Sequence, residues 1–340
     1  MQILPGRWVT GGGRPPGARV AALLPVVAAC LSAALALSLG PMGGGVGSAA
    51  VRGLVAAGPA EKSGAPPTSF WGDTKAIPAA HDVLEFSIVN RTEGAYPNSR
   101  VYWSFDGQEK SLAQQHYFDM PVNSAGRMYF YLGSPASKYS DFIEFTVGPS
   151  SVNIDTTRVI DWGLPLAILL HAHSGSNQEI GDSYQVFTQS RTALFRKFKD
   201  TAPAPFKQLA TVDAPYGIAA PWTDPAFQPG GADAKYFTKY AAAHGAGSDT
   251  TADVFGCAGT LASNPQLCAA LNRHVAQLPL GQQTDSANFY KAAPANYYAW
   301  FWHQNAINGL QYGFPYDDYG GQSSDISAAN PKYAVVAVGF

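Results

Sequence analysis

The stretch Glu144-Phe-Thr-Val-Gly-Pro-Ser-Ser-Val-Asn-Ile-Asp155 predicts two β-strands joined by a tight turn. Polar and apolar residues alternate on both sides of Gly148-Pro-Ser-Ser151, which is a turn signal. In a hairpin centred on this turn, Glu144 lies opposite Asp155, about 5 Å away across the strands. The sequence therefore predicts a pair of carboxyls on one face of a β-hairpin.

Paired carboxyls can cleave a glycosidic bond, because one protonates the leaving oxygen while the other activates water or attacks the sugar. Asp161 is a second candidate partner for Glu144. On a straight strand Asp161 lies about 20 Å beyond Asp155, so it reaches Glu144 only if the strand bends. Two acids beside a hairpin are also common on a solvated sheet face. Spacing alone leaves the catalytic and the structural interpretation open.

Alternation of polar and apolar residues elsewhere predicts a mainly β fold with α+β features, a β-sandwich or barrel of short strands. The sandwich covers 81–175 and is completed by about 308–340, and a mixed α/β domain covers 176–307. A 3.6-residue period predicts helices over 183–199 and 295–307, the second of them buried because it is aromatic nearly all round. The predicted strands are 83–89, 100–105, 127–132, 141–147, 152–160 and 165–173.

The composition suits a protein that binds neutral sugars. Charged residues make up only 14% of the 340 residues, whereas aromatic residues make up 12%. Sugars are held by aromatic faces and uncharged hydrogen-bonding groups, although the same balance suits a β-sandwich core. The net charge of −2 gives no electrostatic reason to expect a nucleic acid or an anionic membrane surface as partner. No obligate protein partner is evident.

The amino end has the features of an export signal. Arg7, Arg14 and Arg19 precede the uncharged run 20–39, and Ala34-Leu-Ala36 is a candidate cleavage site. The run is also long enough to span a bilayer, so a secreted protein and a membrane-anchored one both remain open. Residues 1–40 are predicted to be a signal peptide or signal anchor. Residues 41–80 are rich in Gly, Ala, Ser and Pro and are predicted to be a flexible linker.

Removal of the amino end leaves two cysteines, Cys257 and Cys268. A cysteine pair in an exported chain most simply forms a disulfide, which we predict here.

Several motifs together resemble glycoside hydrolase family 64, the laminaripentaose-producing β-1,3-glucanases. The last of these motifs, together with the terminal strand 333–338, is also similar to the carboxyl end of thaumatin-like proteins. The motifs lie in the same order over about 82–340 and are Glu144-Phe-Thr-Val147, Thr156-Thr-Arg-Val159, Gly163-Leu-Pro165, Asp253-Val-Phe-Gly-Cys257, Leu267-Cys-Ala-Ala-Leu-Asn-Arg273, Ser286-Ala-Asn-Phe-Tyr290 and Tyr312-Gly-Phe-Pro-Tyr-Asp-Asp318.

The resemblance implies a thaumatin-like β-sandwich or barrel beside a mixed α/β domain, with an open groove between them. It also implies hydrolysis of β-1,3-glucan, such as laminarin or a curdlan-like polymer, to short laminari-oligosaccharides without a cofactor or metal. Glu144 is then the acid by residue-for-residue match, Asp161 the base, and Asp155 the alternative base. Known members invert the anomeric centre, which requires carboxyls about 6.5 to 9.5 Å apart.

Sugar-binding residues are expected from strand alternation and, for Asp317, from the resemblance. Thr146, Asp155 and Thr157 are expected to line the groove floor, and Asp317 belongs to an acidic pair near the carboxyl end. That pair is equally compatible with a turn cap.

The chain departs from the family pattern at the second acid. The pattern places that acid at Ile160, whereas Asp161 lies one residue later and reaches the same face only if a bulge re-aims it. The segment between Asp213 and Cys257 is also shorter than is usual in the family. The alternative to a hydrolase is therefore a non-catalytic β-1,3-glucan-binding protein with a degenerate site.

Overall fold

The structure is a computed structural model that describes residues 63–340. The predicted signal or anchor segment, 1–40, lies outside the described residues, as does most of the predicted linker. Residues 63–80 are a packed segment and not a linker, because Phe70 and Trp71 are buried against Phe187 and Ile307. Composition alone missed these two aromatic anchors. Over 63–340, no helix is long and apolar enough to cross a membrane.

Two open β-sheets pack face to face. The five-stranded sheet has the order β10-β9-β13-β1-β4, the six-stranded sheet has the order β12-β7-β6-β5-β2-β3, and β8 pairs with β11 alone. The strands are β1 Leu84–Arg91, β2 Val101–Phe105, β3 Gln108–Ser111, β4 Tyr117–Met120, β5 Ala125–Leu132, β6 Ser140–Gly148, β7 Ser151–Thr156, β8 Asp161–Trp162, β9 Leu166–Ala172, β10 Asn177–Gly181, β11 Ile218–Ala219, β12 Asp325–Ala329 and β13 Pro331–Gly339.

The prediction of a sandwich is confirmed, and the alternative of a barrel is wrong. A barrel requires the first and last strands of a sheet to pair, whereas both sheets keep two unpaired edge strands. Inward-facing side chains such as Phe86, Phe145 and Val336 form the core between the sheets.

The outer faces of the two sheets differ. Phe70, Trp71 and Phe187 pack over the outer face of the five-stranded sheet. On the six-stranded sheet, alternation turns Glu144 and Asp155 to the outer face, where both are partly exposed. This second face therefore presents a pair of acidic side chains to solvent, and it is where we place the candidate site.

Strand β7 is shorter than the predicted strand 152–160. It ends at Thr156, because Thr157 pairs with Tyr312 in an isolated bridge and Arg158 turns into the interior. Asp161 then begins β8, which pairs with β11. The break removes Asp161 from the hairpin strand.

The helices lie mainly between β10 and β12. The predicted helix 183–199 is split into two, because Ser190 caps a new helix by accepting a hydrogen bond from the amide of Ala193. The predicted buried helix 295–307 is confirmed as a shorter one. The helices are α1 Tyr184–Phe187, α2 Arg191–Thr201, α3 Thr238–Ala243, α4 Thr251–Gly256, α5 Pro265–Asn272 and α6 Tyr297–Gln304, with 3-10 helices at Thr68–Trp71, Thr74–Ala76, Asn98–Arg100, Ala204–Ala210, Pro221–Thr223, Gly259–Ser263, Leu280–Gln282, Ser286–Asn288 and Ile307–Gly309.

The regular structure of the region predicted to be a mixed α/β domain, 176–307, is almost all helical. Its first strand, β10, belongs to the sandwich, and β11 is the only other strand in that range. Trp162 from β8 stacks on Trp302 from α6, so the small β8–β11 sheet shares its core with the helical layer, whereas the sandwich has a core of its own.

The predicted disulfide between Cys257 and Cys268 is present and links the end of α4 to α5. We expect peptide mass spectrometry without reductant to recover the two cysteines linked. The double variant Cys257→Ala/Cys268→Ala should lose about 2 to 4 kcal/mol of unfolding free energy in urea, because the unfolded chain is no longer constrained. Free thiols at both positions in the purified protein would contradict the assignment.

Arg158 links the six-stranded sheet, through Asp141 on β6, to Asp182 directly after β10 of the five-stranded sheet by a buried ion network. Its Nη1 lies 2.9 Å from Asp141 Oδ2 and its Nη2 lies 2.8 Å from Asp182 Oδ2, with all three side chains almost fully buried. Arg158→Leu should lower the unfolding free energy by about 3 to 5 kcal/mol, because two buried carboxylates lose their counter-charge. Arg196→Leu, at an exposed position of α2, is the control and should change it by less than about 0.5 kcal/mol. Equal losses in a urea titration would contradict this role.

Candidate active site

Four side chains lie side by side across the outer face of the six-stranded sheet. Arg127 on β5 is in register with Glu144 on β6, Glu144 with Asp155 on β7, and Asp155 with Asp325 on β12. Directly opposed residues have Cβ atoms about 5 Å apart. We call Glu144, Asp155 and Asp325 the acidic row. The pairing of Glu144 with Asp155 is the one that the hairpin sequence predicts.

Arg127 fixes one end of the acidic row. Its Nε donates to Glu144 Oε1 at 2.9 Å, its guanidinium lies 4.4 Å from the ring centre of Phe142, and its side chain hydrogen-bonds with Tyr129. Both members of the ion pair are about 30% exposed. The pair therefore holds Glu144 in one position while leaving it accessible from solvent.

Asp155 lies in the middle of the row and has an unusual environment. Its Oδ1 is buried without a hydrogen-bond partner. Burial, followed by the neighbouring charges of Glu144 and Asp325, raises the pKa of Asp155 well above its usual range, and Arg127 opposes the rise. Asp155 therefore keeps its proton more readily than a solvent-exposed aspartate does.

Asp325 completes the row and was not recognised in the sequence. Asn153 donates to its Oδ1 at 2.7 Å. Burial and then the charge of Asp318 raise the pKa of Asp325, while the Asn153 hydrogen bond lowers it. The alternation of Asp325-Ile-Ser327 indicates a strand, but no local signal places that strand next to β7, 170 residues earlier.

Asp161 lies outside the acidic row. Trp162 points into the core, so Asp161 points the other way and stays partly exposed. Burial, followed by the charges of Asp141 and Asp213, raises the pKa of Asp161 to about 7, and the charge of Arg158 opposes this. Among the described residues, its carboxyl makes no hydrogen bond or ion pair. A carboxyl of this kind can take or give a proton near neutral pH.

The residues that follow Asp161 show which part of β6 it lies beside. The amide of Gly163, two residues later, donates to Asp141 Oδ2 at 2.9 Å. Asp141 precedes Glu144 by three residues on β6, about 10 Å at the rise of a strand. Asp155 is thus the near neighbour of Glu144, and Asp161 is the distant one.

The two threonines predicted to line the groove floor differ in where they lie. Thr157 is buried, and its Oγ1 accepts a hydrogen bond from the amide of Val159, so the prediction that it lines the floor is wrong. Its strand ends before it, which removes the alternation on which that prediction depends. Thr146 is exposed on the same face as Glu144, in register with Asn153. Its binding role stays a prediction.

Asp317 is also buried and does not face solvent. Arg273 Nη2 contacts its Oδ1 at 2.9 Å, while His303 Nε2, at 3.0 Å, and the amide of Gly313 contact its Oδ2. The prediction that Asp317 binds sugar is therefore wrong, and its role is to fix the segment that carries its exposed neighbour, Asp318. Burial is the largest cause of the raised pKa of Asp318.

Comparison with known proteins places the chain in a family. The sequence model Glyco_hydro_64, described as beta-1,3-glucanase, matches residues 243–338. Two glucan endo-1,3-beta-glucosidases, from Cellulosimicrobium cellulans and Arthrobacter sp. (strain YCWD3), are 41% identical over 71 residues. That match spans 21% of this chain and only 13% of the length of either relative.

The fold matches solved structures over most of the chain. The family 64 laminaripentaose-producing beta-1,3-glucanase from Paenibacillus barengoltzii has a TM-score of 0.70 and 30% identity, over 78% of this chain and 77% of that chain. A beta-1,3-glucanase domain from Clostridium beijerinckii, at 24% identity, shares the fold with a TM-score of 0.69 over 77% of this chain and all of that chain. The similarity to thaumatin-like proteins stays a prediction. With its sandwich, its acidic row and a 30% identical relative matched over three quarters of its length, this chain belongs to glycoside hydrolase family 64.

Proposed function

We propose that this protein hydrolyses β-1,3-glucan to short laminari-oligosaccharides with two carboxyls and no cofactor. The acidic row, partly exposed on an open sheet face, is the observation that carries this proposal. The relative from Paenibacillus barengoltzii was solved with laminarihexaose, which supports a β-1,3-linked substrate.

Glu144 is the proposed acid, and it gives its proton to the glycosidic oxygen as the bond to the sugar breaks. Asp161 is the proposed base, and it takes a proton from the water that attacks the anomeric carbon. An inverting mechanism needs carboxyls about 6.5 to 9.5 Å apart to leave room for that water, and the place of Asp161 on β8, outside the acidic row, suits such a separation better than the adjacent position of Asp155 does. Thr146 lies beside Glu144, where its hydroxyl can bind a sugar hydroxyl.

Asp155 is the alternative partner and implies a different outcome. A carboxyl about 5 Å from Glu144 leaves no room for water and suits a retaining mechanism, with one carboxylate as nucleophile. Because Arg127 pairs with Glu144 and Asp155 holds its proton, this arrangement would make Asp155 the acid and Glu144 the nucleophile. The two assignments predict opposite anomers of the product.

A second candidate function is a glucan-binding protein without activity. The observation that favours it is the ion pair between Arg127 and Glu144, which already engages one oxygen of the proposed acid. The residue at the family's usual second acid position, Ile160, points in the same direction.

We further propose that the protein acts outside the cell, either secreted or anchored through 20–39. The disulfide between Cys257 and Cys268 supports this, because disulfides persist mainly in oxidising compartments.

Incubation of the purified protein with curdlan and with laminarin tests the proposed activity, with the products separated by chromatography. We expect short laminari-oligosaccharides from both and none from cellulose, whose linkages are β-1,4. Co-sedimentation with insoluble curdlan without release of any product would favour the binding protein. A protein that does not bind curdlan and releases no product would overturn both candidates.

A further inference from the structure

A second surface feature lies beside the acidic row, on the same sheet face. A cavity of about 350 Å³ opens between β5 and the hairpin formed by β2 and β3. Its wall contains Arg127, the residue that pairs with Glu144, so the cavity starts one strand away from the proposed acid. No residue of this hairpin is used by the proposed chemistry.

The floor beside this cavity is aromatic. Tyr129 and Tyr131 point outward from β5, with ring centres 6.4 Å apart and planes within 19° of parallel. Ser104 is in register with Tyr129, and its Oγ lies 3.3 Å from the hydroxyl of Tyr131. Half-exposed, parallel rings with hydroxyls at their edges suit the apolar face and polar rim of a neutral sugar.

The wall of the cavity on the side away from Glu144 is formed by β3. It carries polar side chains that make no hydrogen bond with other described residues. Gln108 and Glu109 are exposed, and both line the cavity. The wall lies three strand spacings from Glu144, about 14 Å. A glucan chain that crosses the acidic row therefore needs only to continue over Arg127 to reach it.

We propose that the β2–β3 hairpin, the cavity and the two tyrosines form an extension of the sugar-binding groove that holds glucosyl units remote from the cleavage point. This inference rests on the proposed β-1,3-glucan substrate and extends the same site. It predicts that long substrates bind better than short ones because of contacts at this hairpin. Such remote contacts decide the length of chain that the site accepts.

The test compares a long and a short ligand in the full chain. The double variant Gln108→Ala/Glu109→Ala changes only exposed side chains, and Gln185→Ala, on α1 over the opposite sheet, is the control. With Glu144→Gln present in every sample so that ligand is not consumed, calorimetry measures the Kd for laminarihexaose and for laminaritriose. We expect the preference for the hexaose to fall about tenfold in the double variant and to stay unchanged in the control.

An unchanged preference in the double variant overturns the inference, as does failure of the hexaose to bind at all. Glu109→Gln, which keeps the size of the side chain, provides a second variant should the double change disturb the hairpin. It should reduce the hexaose preference by a smaller factor, and no reduction counts against the inference. Failure of the proposed hydrolysis would show instead as a wild-type protein that binds the hexaose and releases no product.

Discussion

The variant Glu144→Gln should lose hydrolysis of laminarin by a factor of about 10² to 10⁴, because the amide keeps the shape of the side chain and has no proton to transfer. Binding to insoluble curdlan should be retained, since the amide oxygen can still accept from Arg127. Product release over time gives the rate, and co-sedimentation with curdlan gives the binding.

Glu93→Gln is the matched control for this change. Glu93 is exposed and lies in the turn after β1, on a different strand connection from the acidic row. Its substitution should leave the rate within about twofold of the wild type. If Glu144→Gln turned over laminarin as fast as the control, Glu144 would not be the acid or the nucleophile.

The second large expected effect decides whether Asp161 or Asp155 is the carboxyl that works with Glu144. If Asp161 activates water, Asp161→Asn should slow hydrolysis by about 10² to 10⁴, because water loses its base, while Asp155→Asn should cost much less. Neither change should unfold the protein, since the carboxyl of Asp161 has no hydrogen-bond partner among residues 63–340 and Oδ1 of Asp155 has none. Initial rates on laminarihexaose measure both effects. The reverse ranking would make the hairpin neighbour the working carboxyl.

The pH profile gives an independent readout of the same assignment. A base must be ionised, and the pKa of Asp161 is raised to about 7, so the activity of the wild type should increase as the pH rises through 7. Asp161→Asn should lose this dependence, and Asp155→Asn should keep it. A wild-type profile that is flat through pH 7 would exclude Asp161 as the base.

The anomer of the first product distinguishes the two mechanisms directly. Proton NMR during hydrolysis should show the α-anomer first if Glu144 works with Asp161, since inversion of a β-linkage gives α. Initial formation of the β-anomer would indicate the pair Glu144 and Asp155.

Much of the sandwich could be predicted from the alternation of polar and apolar residues, because every second side chain of a half-buried strand faces the core. The hairpin of β6 and β7 is the clearest case, since a short turn fixes its register and places Glu144 opposite Asp155. The cysteine pair and the buried aromatic helix could also be predicted, because each depends on residues close together in sequence.

The site depends equally on contacts between distant residues, which period and spacing do not encode. Alternation predicts that Thr157 continues β7, but the pairing of Thr157 with Tyr312 and the burial of Arg158 between two carboxylates end the strand at Thr156. Composition likewise predicts a linker up to residue 80, whereas Phe70 and Trp71 find a hydrophobic surface on the sandwich.

The sequence by itself determined the strand faces, the carboxyl pair of the hairpin and the disulfide, because short loops restrict these partners to one another. Only the tertiary structure decided that Asp325 joins Asp155, that Asp317 is buried beneath Asp318 and that Asp161 stands apart on β8. The reason is that pairing between strands far apart in sequence is selected by the burial of a whole sheet face. That burial is a property of the assembled core, and no single segment contains it.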